Sequence, residues 1–156
     1  MKKNLLVKGE KGLKILFNHK NPDKICRAKS LINLSKEELK KALKKPFYLM
    51  TDLQLAIVYE NVEYNITIPV GFDWNGANVP PFAWLLIGQQ KDPRFKVASC
   101  VHDYVCENHE LIENNRYLST LVFIALCKHI GRFNNFKLWA MKHSVDNFQK
   151  FCGWGE

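Results

Sequence analysis

The ten residues SCVHDYVCEN, Ser99 to Asn108, set an imidazole, His102, directly before a carboxylate, Asp103, in a stretch with helical spacing. Val97, Val101, Tyr104 and Val105 recur at three- and four-residue intervals and make the buried stripe of that helix. Asp92 and Pro93 suit an N-cap and a first helical position, so the helix is predicted from Pro93 to Asn108. After HELIE a second helix is predicted from about Asn115 through YLSTLVFIALCKHI to Gly131, a C-terminal glycine. It is apolar on nearly every side and reads as the central core helix. A last helix, Asn134 to Phe151, carries Phe133, Phe136, Ala140, Ser144, Phe148 and Phe151 as a packing stripe, with Lys137, Lys142 and Lys150 on its solvated side.

Upstream the period changes. FYLM at Phe47, LQLAIVYE from Leu53 and EYNITIPV from Glu63 are β-branched and alternating, with a turn at Asn61 and Val62, and they predict an antiparallel hairpin or meander. The segment GFDWNGANVPPFAW, Gly71 to Trp84, then leads from sheet to helix. Gly71 and Gly76 can take positive φ, and Pro80 with Pro81 bars a helix across it. Residues 1–46 read as a basic N-terminal extension packed on or flanking the domain formed by 47–156. The extension holds a strand at Leu13 to Phe17 and a short helix that opens with Ser35 and Glu38 in capping-box spacing. The expected class is α+β: a small antiparallel sheet, an antiparallel helical hairpin and a C-terminal helix.

The 156 residues suit one domain, with 47% hydrophobic content to fill a core. Five cysteines at unrelated spacings argue for reduced thiols, and the charged N-terminus lacks the unbroken apolar run of a signal peptide. No window approaches the roughly 20 apolar residues of a membrane helix. The net charge of +8 favours an anionic partner: nucleic acid, lipid headgroups, or an acidic protein. Much of that excess lies before residue 47, and the lysines of ELKKALKK suit a solvated face as well as phosphate contact.

If the two central helices form a hairpin centred near Leu111, His102 and Thr120 lie nine residues to either side and come level across the interface. A hydroxyl there can accept a hydrogen bond from imidazole but cannot stabilise imidazolium as a carboxylate does. Other readings use the same helix face. His102, Cys106 and His109 at i, i+4 and i+7 are a zinc alternative, with Cys100 or His129 as a fourth ligand. Cys106, one turn from His102, is a candidate thiol nucleophile. The plainest alternative is a structural His102–Asp103 pair tying the helix to the GFDWNGAN loop. Cys100 and Cys127 suit buried small hydrophobes.

GFDWNGANVP, then HDY, then an apolar helix ending in glycine resembles the domain of unknown function 1353 family, found in bacteriophages and prophages. That family has GF-x-x-D-G-A-S-x-P, then HDYxY, then A-D-x-x-F. The resemblance covers about Phe47 to Gly153 and implies a phage or prophage protein working in the host cytoplasm or in the virion. In motif order the chain also resembles the phospholipase A2 hairpin. That resemblance implies His102 as general base, Asp103 as calcium ligand beside Tyr104 of the HDY motif, and the Asp73 to Gly76 loop as source of carbonyl ligands. Asp73 would be the second carboxylate for calcium, with Gly71, Asn75, Gly76, Asn78 and Thr120 around the substrate.

The departures are specific. The family's loop aspartate falls on Asn75, its serine on Asn78, the second tyrosine of HDYxY on Cys106 and its helix aspartate on Thr120. Loss of two carboxylates weakens cation binding and histidine activation together. The resulting expectation is a hydrolase of ester or amide bonds in lipid or cell envelope, with reduced activity, or a non-catalytic virion, assembly or host-takeover protein on the same scaffold. Two further expectations concern the site: His102 and Asp103 hydrogen-bond to the Asp73 to Asn78 loop, and calcium binds weakly until Asn75 and Thr120 are made aspartate.

Overall fold

The structure, a computed structural model, describes residues 5–75 and 93–151, with residues 144–151 described by backbone alone. The first sheet has four antiparallel strands in the order β1-β2-β5-β6: β1 Leu5–Lys8, β2 Lys14–Phe17, β5 Leu53–Tyr59 and β6 Val62–Ile68. Alternation sets its faces. Leu53, Leu55, Ile57 and Tyr59 of β5 point inward with Ile66 and Ile68 of β6, and Ile15 and Phe17 pair with Ile57 and Leu55. The β5–β6 turn is Glu60 and Asn61, both with positive φ (51° and 64°), and Val62 already pairs with Tyr59. The turn thus lies one residue earlier than Asn61–Val62, because a two-residue hairpin loop whose twist matches its strands needs both central residues left-handed.

β1 and β2 come from the stretch expected to pack on or flank the domain, and β2 sits between β1 and β5. A second sheet, β3 Cys26–Ala28, β4 Phe47–Leu49 and β7 Asp73–Trp74, has the order β3-β4-β7. Between its first two strands lies α1, Lys36–Lys44, where Ser35 Oγ accepts from the Glu38 amide at 3.1 Å. Only Ala42 of that helix is buried, so its lysines are a solvated face.

A 3-10 turn, Pro93–Phe95, leads into α2, Lys96–Glu107. The Asp92 cap lies outside the described residues. A second 3-10 turn, His109–Ile112, joins α2 to α3, Arg116–His129, and Asn115 caps α3 by accepting from the Leu118 amide at 3.0 Å. Every residue of α3 from Leu118 to Cys127 is buried, between α2 on one side and α4, Asn135–Phe151, on the other, with β1 also against it.

Two expectations at the C-terminal end are corrected. The left-handed residue after α3 is Arg132 (φ 57°), not Gly131; a Cβ on Gly131 would stand 2.7 Å from the Arg94 carbonyl oxygen, so the glycine serves close backbone approach. In α4, Leu138, Ala140 and Met141 are buried with Phe133, whereas Phe136 is 60% exposed and leaves the predicted stripe. No helix among the described residues is long and apolar enough to cross a membrane.

Candidate functional site

Gly71 turns the chain out of β6 with φ +86°, and its amide donates to the Leu49 carbonyl at 3.0 Å, which aims β7 along β4. Trp74 is buried there, stacked between Phe47 and Phe72 at 6.0 and 5.9 Å. Its indole N–H donates to Ser99 Oγ at 3.0 Å, and Ser99 donates in turn to the Phe95 carbonyl at 2.6 Å. Phe72 meets Tyr104 edge to face at 5.3 Å. The start of the loop is therefore locked to α2 by one buried hydrogen bond and an aromatic contact, which places Tyr104 in packing.

This docking opens a cleft of about 210 Å³ whose walls include Asp73 and Asn75 from the loop, Asp103, Cys106 and Glu107 from α2, and Lys45. Gly76 and Asn78 lie outside the described residues. Asp73 accepts from Lys29 Nζ at 2.8 Å, and Lys45 Nζ stands 3.9 Å from its other oxygen. Two ammonium groups thus occupy the surroundings of the carboxylate expected to hold calcium. The sequence could not reveal this, since Lys29 and Lys45 belong to a basic stretch whose partners are set only by folding.

His102 lies on the inner side of α2. It borders a gap too small for water, shared with Val101, Val105, Ser119 and Val122, and its ring tilts against Phe123 at 5.1 Å. Thr120 is buried on α3 and its hydroxyl donates to the Arg116 carbonyl at 3.4 Å. Ser119, which sequence reasoning missed, is the α3 hydroxyl residue bordering the histidine's gap. Its hydroxyl also bonds back to Arg116, at 3.0 Å.

Cys106 Sγ is 3.7 Å from both Nδ1 and Nε2 of His102, and Asp103 Oδ1 is 4.0 Å from Nδ1. Burial opposes charge on this imidazole, but hydrogen bonding to Asp103 and to Cys106, with their negative potential, prevails and lifts its pKa from 6.5 to about 9. The ring is therefore cationic at neutral pH. The buried thiols Cys100 and Cys127 behave in the opposite sense: burial pushes both well above the ordinary thiol range, so neither is a nucleophile.

The structure brings Asp73, Asn75, Asp103 and Cys106 to one cleft and sets His102 behind it. His109, the third residue of the zinc alternative, lies in the 3-10 turn after α2 and is engaged with Asn114 Oδ1. Among the described residues, no three histidine, cysteine, aspartate or glutamate side chains converge closely enough to hold a metal ion. The four cysteines among the described residues, Cys26, Cys100, Cys106 and Cys127, are free thiols.

A family model described as "Protein of unknown function (DUF1353)" matches residues 51–145. No curated protein and no solved structure matches the chain.

Proposed function

The chain belongs to the DUF1353 family, whose description assigns no activity, and we propose that it is a phage- or prophage-encoded hydrolase of ester or amide bonds in lipid or cell envelope. The observation that carries this reading is the Cys106–His102 contact at the wall of an open cleft, with Asp103 beside the ring. A cationic imidazole cannot take a proton from water at neutral pH, which disfavours the water-activating role of the phospholipase A2 analogy. It can stabilise a thiolate and later act as an acid. The Cys106 sulfur attacks the substrate carbonyl carbon, a C–S bond forms, the C–O or C–N bond breaks, and His102 gives its proton to the leaving group. Water, deprotonated by the now neutral ring, attacks the thioester; the C–S bond breaks, the acyl group leaves as the carboxylic acid, and the Cys106 sulfur and the protonated His102 ring are restored. Sγ is equally distant from both ring nitrogens, so transfer needs a rotation of the imidazole that brings one nitrogen into line.

Incubation with p-nitrophenyl esters, phospholipids and peptidoglycan, followed by intact-mass measurement, tests the reading. An acyl adduct on Cys106, lost in Cys106→Ser, is the expected result; full turnover by Cys106→Ala would overturn it. The second reading, a non-catalytic virion, assembly or host-takeover protein, is favoured by the Asp73 ion pairs and by the close packing around His102, whose side chain is only 10% exposed. It predicts no turnover of any of these substrates.

A further inference from the structure

A second concavity lies away from the His102 cleft, between the β1 end, α3 and α4. It measures about 370 Å³, within the usual range of small-molecule sites of roughly 300–1,000 Å³. Leu121, Ile124 and Leu138 form its floor. Its charged lining is Lys8 from β1, Lys128 from the last turn of α3 and Lys142 from α4, with one carboxylate, Glu10. Lys142 reaches Glu10 at 3.2 Å, while among the described residues no carboxylate pairs with Lys8 or Lys128. One wall is Trp139, 61% exposed and stacked on the equally exposed Phe136.

We infer that this groove binds a single-chain amphiphile with an anionic carboxylate or phosphate head, the acyl chain on the Leu121–Ile124–Leu138 floor against Trp139 and the head between Lys8, Lys128 and Lys142. The apolar floor selects a hydrocarbon chain, because a purely polar ion would gain nothing from it. The unneutralised lysines select the sign of the head, and Lys142 can exchange Glu10 for a second anion at little cost on an exposed pair. Concavity favours one inserted chain over a flat bilayer surface. This inference is independent of the His102 reading.

The test is calorimetric titration of the full chain below the micellar concentration with dodecanoate and dodecyl phosphate, against dodecanol, dodecyltrimethylammonium and inorganic phosphate. The two anions should bind at one site and change Trp139 fluorescence. Lys128→Glu with Lys142→Glu should weaken them about tenfold or more, as loss of charge-assisted contacts requires. Lys137→Glu, with the same charge change per residue elsewhere on α4, should leave binding intact, and Trp139→Ala, altering an exposed side chain, should weaken it without loss of thermal stability. Equal binding of dodecanol or the cationic amphiphile would overturn anion recognition. Equal binding of inorganic phosphate would overturn the chain-binding floor. Binding only to phosphatidylglycerol vesicles would overturn the groove in favour of a membrane-facing surface.

Discussion

Cys106 Sγ stands 3.7 Å from both ring nitrogens of His102, one helical turn away, and only the cysteine of the two opens onto the cleft. The pair predicts selective thiol chemistry. Iodoacetamide at neutral pH should label Cys106 well ahead of buried Cys26, Cys100 and Cys127. His102→Asn should slow that labelling about tenfold by removing the adjacent cation. Peptide mapping of a labelling time course reads both rates; equal labelling of Cys100 would remove the basis for a special thiol.

Stability should fall on the alkaline side. A folded pKa of about 9 against an ordinary 6.5 means that the native state holds the His102 proton more tightly than the unfolded chain. The resulting stabilisation is complete below 6.5 and is lost as pH rises through 9, amounting to roughly 3 kcal/mol for this buried group. Urea melts at about pH 6 and pH 9.5 should show the loss. His102→Asn should remove most of the difference.

Calcium should bind weakly, since Lys29 and Lys45 already neutralise Asp73. Asn75→Asp adds a carboxylate at the open cleft and should strengthen calcium binding in a calorimetric titration, more so when combined with Lys29→Ala. The companion change, Thr120→Asp, behaves otherwise. Thr120 is 1% exposed, so a carboxylate there would be buried and should cost about 3 kcal/mol or more in a urea melt, whatever it does for His102.

Gly131→Ala should destabilise the chain by about 1–3 kcal/mol. The new Cβ would meet the Arg94 and Cys127 carbonyl oxygens at 2.7 and 2.9 Å, both backbone atoms that cannot swing aside. Thermal unfolding measures the cost. A neutral result would show that the α3 end and the Pro93–Phe95 turn can move apart freely.

The helices were legible because their signals are local. The 3.6-residue spacing of Val97, Val101 and Val105, the Asn115 and Ser35 caps and the unbroken apolar run of α3 each act within one or two turns. The β5–β6 alternation was equally plain. Its turn was misplaced by one residue because Glu60, an uncommon choice for positive φ, gives no glycine or asparagine signal. β1 went unseen because four residues, Leu5, Leu6, Val7 and Lys8, carry too little pattern, and its pairing with β2 is a tertiary event.

For the site, the sequence by itself determined that His102, Asp103 and Cys106 share one helix and that a glycine-bearing loop precedes it. Helical spacing is enough to place i and i+4 together. Only the tertiary structure decided which of them meets solvent. The Trp74–Ser99 bond and the Phe72–Tyr104 contact fix how the loop sits on α2, and α3 packing closes over His102 while the cleft stays open at Cys106 and Asp103. The fate of Asp73 was likewise decided in three dimensions. Lys29 stands 44 residues away in the chain, and attraction between charges depends on their separation in space, which folding alone brings down to 2.8 Å.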